Sequence, residues 1–163
     1  MQPLTEATIR SAFRGATRSE ISRVSYPDLG QIDFSRLEFL GWRDRKIPRR
    51  AYLVVEHSSG PVALLLTRAE TKPRGRAMCS WCNDVNLSDD AVLYTVRRAG
   101  AAGRRGSTLG VLICEKFGCS RNARQLPPAY HGGTDLDAVR EERVADLRRR
   151  IHAFVDEVLA DVR

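Results

Sequence analysis

The spacing of hydrophobic positions changes along this chain, from helical at the start, to strand-like in the middle, to helical again at the end. Ala12 and Phe13 follow Ile9 at helical intervals, predicting a short amphipathic helix over 5–15, capped by Thr5 and ended by Gly15. Thr17-Arg-Ser-Glu20 has the capping-box pattern and predicts a second short helix, with Ile21 and Val24 on one side. Tyr26-Pro27 and Gly30 then break the chain. From Ile32 to Trp42 the apolar residues Ile32, Phe34, Leu37, Phe39, Leu40 and Trp42 do not decide between helix and strand. The aromatics among them read as core anchors.

Past a polar turn over 43–50, the strand signals are clearer. Ala51 to Glu56 and Val62 to Arg68 are β-branched or aliphatic, and Ser58-Ser-Gly-Pro61 between them reads as a hairpin loop. Val92, Tyr94 and Val96 alternate with Leu93, Thr95 and Arg97, predicting a strand that pairs with Leu109 to Ile113 across a loop over 99–108. After Pro127-Pro128 and His131-Gly-Gly133, an apolar stripe runs through Leu136, Val139, Val144, Leu147, Ile151, Phe154, Val158 and Val162. It predicts a long amphipathic helix over 134–162, capped by Thr134, with Asp135 and Asp137 where the helix dipole favours acids. Such a stripe is expected to pack on its own chain, leaving a monomer. No internal repeat is visible.

These elements predict an α+β fold: a small antiparallel sheet with flanking helices, closed by the long C-terminal helix. With 163 residues the expectation is one domain over 1–163, comprising a helical segment and hairpin at 1–76, a central unit at 77–126 and the helix at 134–162. Neither a signal peptide nor a membrane span is visible, the longest aliphatic run being Val62 to Leu66, so the expected setting is the reducing cytoplasm.

Charge narrows the class of partner. The net charge is +7, unevenly spread: 14 basic and 8 acidic side chains in 1–78, 7 and 4 in 79–134, 6 and 8 in 135–163. Nearly all the cations are arginine, which favours bidentate contact with phosphate or carboxylate. An anionic partner, RNA or an acidic protein face, fits this balance, and a solvated surface is the plainer alternative.

All four cysteines lie in two close pairs, Cys79-Ser-Trp-Cys82 and Cys114-Glu-Lys-Phe-Gly-Cys119, with 31 residues between the pairs. Two tight turns supplying two thiolates each, brought together from distant segments, is what a tetrahedral zinc ion requires. Disulfides are the alternative, but nothing in the chain suggests export. Four ligands leave no open position, so the zinc is expected to be structural rather than catalytic. A Cys-x-x-Cys turn, a β-hairpin, and a strand feeding a helix that carries the second pair is the plan of a treble-clef finger over 77–126. Arg76, Arg97 or Lys116 could offset the formal −2 of a zinc tetrathiolate.

At this point the chain resembles the C-terminal treble-clef domain of elongation factor G-binding proteins, found in the fusidic-acid-resistance proteins. The resemblance is carried by Phe39-Leu-Gly-Trp42, the strands after it, Cys79-x-x-Cys82 and Ile113-Cys114-x4-Cys119. It implies that Cys79, Cys82, Cys114 and Cys119 hold structural Zn²⁺ and that the domain binds elongation factor G, helping it leave stalled ribosomes. Resistance members place an aromatic just before the first ligand cysteine and another two residues before the third. Here those positions are Met78 and Leu112. With Phe117 inside the second pair, these become the apolar candidates for partner contact.

The other candidates are Arg97, Arg98, Arg104 and Arg105, in an Arg/Gly-rich hairpin loop expected near the metal and able to meet rRNA or another RNA. Gly103-Arg-Arg-Gly106 is similar to the backbone-gripping loop of KH domains, although that loop joins helices and this one joins strands. Direct RNA or ribosome binding is thus the second functional reading. Catalysis is not expected: His57, His131 and His152 stand apart in the sequence, no Gly-x-Ser-x-Gly occurs, and the metal has no vacancy.

Overall fold

The two aliphatic runs in the middle of the chain lack polar alternation because both faces of their strands are covered. In the computed structural model, which describes residues 1–71, 75, 77–84, 90–125 and 135–162, they form the centre of the sheet. β3 (Arg50–His57) and β4 (Gly60–Arg68) pair antiparallel around a tight turn at Ser58-Ser59. β2 (Leu40–Arg43) adds to β3, β5 (Ala91–Arg97) to the second half of β4, and β6 (Thr108–Cys114) to β5, giving the order β2-β3-β4-β5-β6. A two-residue strand β1 (Phe13–Arg14) pairs in parallel with the first half of β4. The sheet therefore has six strands and is antiparallel, as the pattern predicts, apart from the two-residue β1–β4 pair.

One face carries the N-terminal segment. α1 (Glu6–Ala12) is capped by Thr5, and α2 (Arg18–Ser22) by the reciprocal Thr17–Glu20 capping box that the sequence predicts. Ile9, Ala12, Phe13 and Phe34 pack there against Leu40, Tyr52, Val54 and Ala63. The undecided stretch Ile32 to Trp42 resolves as a 3-10 turn, Phe34–Arg36, followed by β2. In β2 the side chains alternate between the two cores. Phe39 meets Trp81 and Phe117 on one side, while Trp42 stacks near Tyr52 on the other and its Nε1 donates to Ser25 O at 2.8 Å. Gly41 lies where a Cβ would stand 2.4 Å from the Phe117 ring, so only glycine admits that ring. The Phe-Leu-Gly-Trp motif is thus a packing motif.

The opposite face carries the cysteine pairs and the long helix. α5 (Leu136–Leu159) buries Leu147, Ile151, Val155 and Val158 against Leu53, Val55, Val62 and Leu64, with a 3-10 turn, Ala160–Val162, after it. The buried stripe differs from the predicted one. Val155 is buried where Phe154 was expected; Phe154 lies at the edge, 5.8 Å edge-on to Trp81, and Leu136 is exposed. Straight helical geometry accounts for this, since positions 147, 151, 155 and 158 share one face. Asp135 caps α5, accepting from Asp137 N and Ala138 N. The connector residues Lys72 to Arg74 and Arg76, the chain breakers Pro127-Pro128 and His131, and the expected cap Thr134 lie outside the described residues, as does the side chain of Val162.

Past β4 the described residues cover only one sheet face, which is why β5 alternates: Val92, Tyr94 and Val96 are buried, whereas Leu93 and Arg97 are exposed. The expected pairing with β6 is present, from Ala91↔Cys114 to Arg97↔Thr108. Its connecting loop is not open, since it contains α3 (Gly100–Arg104).

A buried carboxylate straps these layers together. Glu38, its side chain 1% exposed, receives Arg124 from α4 (Cys119–Arg124) and Arg148 from α5, and its backbone N donates to Ser120 Oγ at 3.0 Å. Removing Glu38 takes the shared carboxylate from Arg124, which is largely buried, and from Arg148, whose side chain reaches solvent. Glu38→Ala is expected to cost about 2–3 kcal/mol, measured as a lower urea midpoint at an unchanged m-value, with Glu38→Gln recovering only part. A midpoint equal to that of the unmodified protein contradicts this strap.

Candidate metal centre

Each cysteine pair sits on a turn that the local sequence closes. In the first, Asn83 N donates to Cys79 O at 2.9 Å, with Asn83 at φ 52°. In the second, Phe117 N donates to Cys114 O at 3.0 Å, with Phe117 at φ 60°. Asparagine tolerates this left-handed conformation; phenylalanine does so at a cost of roughly 1–3 kcal/mol. The burial of its ring, 5.3 Å from Tyr94 in a stacked arrangement, offsets that cost. Ser80 N donates to Leu112 O at 2.8 Å, laying the first turn against the free edge of β6. α4 then begins at Cys119, presenting the last sulfur.

The four cysteines are buried and mutually unbonded, and their sulfurs lie within 4.8 Å of one another. Cys79 Sγ and Cys119 Sγ are 3.6 Å apart, and Cys82 Sγ and Cys114 Sγ are 3.7 Å apart. A disulfide needs about 2.05 Å. A tetrahedron with zinc–sulfur bonds of about 2.3 Å has edges of about 3.8 Å. The spacing fits the ion and not the bridge.

The charges point the same way. Hydrogen bonds from the neighbouring thiols of Cys114, Cys119 and Cys82 pull the Cys79 thiol far below its ordinary value. The Cys119 thiol is pushed far up, chiefly by its contact with the sulfurs of Cys114, Cys79 and Cys82 and then by burial. The Cys79 and Cys82 sulfurs take negative charge more readily than ordinary thiols, and those of Cys114 and Cys119 resist it. A dication at the centre removes that conflict. The centre binds structural zinc, with no position left for substrate.

Two residues that sequence reasoning missed support the thiolates. Asn122 on α4 donates Nδ2 toward Cys114 Sγ at 3.5 Å and Cys82 Sγ at 3.8 Å. Arg150 on α5 donates to Trp81 O at 2.8 Å, bringing a cation to the first knuckle. A polar residue one turn after the last ligand was the signal available for Asn122; nothing local marks Arg150.

The remaining candidates separate into two places. Met78 is 51% exposed beside Cys79, and Leu112 is half-buried on β6 across from Leu93, which is 40% exposed. Phe117 is a correction: its side chain is buried between Phe39 and Tyr94, so its role is packing rather than presentation. Arg97, Arg98, Arg104 and Arg105 are a second correction. They stand at the far end of the β5–β6 hairpin, six residues or about 20 Å from Cys114 along the strand, instead of near the metal. Arg97 therefore does not offset the thiolate charge; it donates to Gly15 O at 3.1 Å and pairs with Glu20. His57 and His152, remote in sequence, meet with ring centroids 6.0 Å apart, and His57 Nε2 lies 3.4 Å from Asp156 Oδ1.

Comparison with known proteins places this geometry. The model of the FBP C-terminal treble-clef zinc-finger family matches residues 8–158. Among solved structures, the chain is similar to one described as the structure of the fusidic acid resistance protein FusC, with a TM-score of 0.55 and 19% identity. The match covers 75% of this chain and 53% of that one, so the chain spans about half the length of that structure. Comparison with curated proteins gave no match.

Cys82→Ser is expected to abolish stoichiometric zinc and lower the melting temperature, measured by metal analysis and calorimetry. Asn122→Ala keeps all four sulfurs and is expected to weaken zinc affinity about tenfold or more in competition with a chromophoric chelator. An unaltered affinity in that variant removes the role given to the amide.

Proposed function

Since the chain belongs to the FBP C-terminal treble-clef zinc-finger family, we propose that it is a non-enzymatic binding module whose partner is elongation factor G. The observation that carries this reading is the apolar surface beside the zinc knuckles. Met78 and Leu93 are exposed, and Leu112 is half-buried across the strand pair from Leu93. Leu93 and Leu112 are cross-strand neighbours, and the Ser80 N–H to Leu112 O bond brings the Met78 knuckle to the same strand. The apolar side chains are thus grouped at one end of the hairpin, as interaction sites tend to be. The metal fixes the two knuckles relative to β6, so the patch is held in one shape before the partner arrives. Met78 and Leu112 are also the positions at which the resistance proteins place aromatics. Methionine and leucine keep the apolar contact and adapt to a different partner face.

On this reading residues 1–163 act as one module in the cytoplasm, and docking on the factor aids its departure from the ribosome. FusC, named as a fusidic acid resistance protein, supplies the association with the drug. Whether the same outcome follows here depends on the factor being held.

Immobilised, zinc-loaded protein is expected to retain purified elongation factor G in salt high enough to screen phosphate contacts. Met78→Glu and Leu93→Glu, both at exposed positions, are each expected to weaken retention about tenfold or more, with zinc content and circular dichroism unchanged. Passage of the factor through a column of unmodified protein sinks the reading.

A further inference from the structure

At the end of the β5–β6 hairpin away from the metal, a groove of about 710 Å³ separates the α1–α2 connection from the α3 turn. Gly15, Ala16 and Thr17 form one wall; Arg97, Arg98 and Arg104 belong to the other. The close approach that makes the second wall depends on Gly103, where a Cβ would stand 1.7 Å from Arg98 O. Arg97 ties the walls together through Gly15 O and Glu20. Arg98 is held by Glu157, its Nη1 donating to the carbonyl at 2.7 Å and its Nη2 to Oε1 at 2.8 Å.

These pairs neutralise two carboxylates beside the groove, and Asp161, packed on Gly100, is a third acid nearby. Against them stand four further arginines. Arg104 and Arg105 are exposed on the α3 side, and Arg14 and Arg18 are exposed on either side of the 15–17 wall. Among the described residues none of these four pairs with a carboxylate. Arg104 lines the groove and Arg105 follows it in the chain. Arg14 and Arg18 only flank the opposite wall in sequence, and Arg14 is turned onto the Ser11 and Phe13 carbonyls. The α3 side therefore carries uncompensated guanidinia, the group best shaped for phosphate oxygens.

We propose that this groove holds the sugar-phosphate backbone of a single-stranded RNA segment, with Arg104 in its lining and the exposed Arg105 beside it at its rim as the principal phosphate ligands and no reading of base sequence. What lines the groove decides both parts. Its lining has glycines, arginines, Ala16 and Thr17 but no aromatic or histidine side chain, so bases lack the aromatic platforms that splay and order them in sequence-reading sites. It also lacks an apolar pocket of the kind that anchors a protein partner. The site lies at the opposite end of the hairpin from Met78 and Leu112 and does not depend on the elongation factor reading.

The test uses the zinc-loaded full chain and a fluorescent oligouridylate of roughly 12 nucleotides, followed by anisotropy across a salt series. Arg104→Glu with Arg105→Glu is expected to weaken binding at least about tenfold at low salt and to flatten the log K against log salt slope by about 1.4, two contacts at about 0.7 each. Arg104→Lys with Arg105→Lys keeps the charge and is expected to keep most of the affinity and the slope. Arg45→Glu with Lys46→Glu, exposed on the β2–β3 turn at the zinc end, is expected to change binding less than about threefold. Oligocytidylate is expected to bind as oligouridylate does. The proposal is overturned by absence of binding, by equal losses in the two charge-reversed pairs, by a strong base preference, or by an oligoglutamate peptide of the same length binding as tightly as RNA.

Discussion

Four buried sulfurs that lie within 4.8 Å of one another are the constraint on which the rest of this protein depends. Without a cation they resist sharing negative charge, and with one they become a rigid joint between β6, α4 and the knuckle at Cys79. The free energy of forming such centres, roughly 10–16 kcal/mol in small zinc peptides, enters the folding balance directly. Here that joint is not isolated. Trp81 between the first two ligands packs on Phe39 and Phe154, Phe117 between the second two fills the space left by Gly41, and Asn122 reaches back to two sulfurs. The metal and the hydrophobic core are one structure.

The sheet divides the work between its two halves. β3 and β4 are buried on both faces and form the support, with α5 and the metal on one side and the N-terminal helices on the other. β5 and β6 extend past that support with one face open to solvent, like a tongue fixed at its root. The zinc turns grip the root through Ser80 and Cys114. Among the described residues, the tip is tied by Arg97, Arg98, the Ala99 N–H to Val158 O at 2.9 Å and the packing of Gly100 on Asp161. Partly exposed ion pairs of this kind contribute about 0–1 kcal/mol each, so the tip depends on backbone contact and packing where the root has the metal.

Much of this was legible before any coordinates. The capping box at Thr17–Glu20, both hairpins, the alternation of β5 and the pairing of the cysteines depend on local rules, and each is present where those rules place it. What escaped depends on side chains distant in sequence. The stretch from Ile32 to Trp42 was ambiguous because Phe39 and Trp42 serve cores on opposite faces of the sheet, a fact no local period encodes. Phe117 read as a contact residue because it is an aromatic lying inside the second cysteine pair. Its burial is decided by Gly41, 76 positions earlier in the numbering. The arginines read as neighbours of the metal because they lie between the cysteine pairs in sequence, yet a hairpin sends its middle to the end farthest from its ends.

That last geometric fact bears on how the protein would operate. A treble clef necessarily puts its ligands at the base of the hairpin, so whatever the hairpin tip carries is displaced from the metal by the length of the strands. Here the base carries Met78, Leu93 and Leu112 and the tip carries arginines facing the Gly15–Thr17 wall. Two surfaces of opposite character are thereby held on one element at a fixed separation. A partner with an apolar patch and a polyanion close together could engage both, and the second contact would then be intramolecular, gaining from effective concentration rather than from intrinsic strength. Neither surface needs to bind tightly for the pair to do so, and loosening the metal joint would uncouple them even if both remained chemically intact.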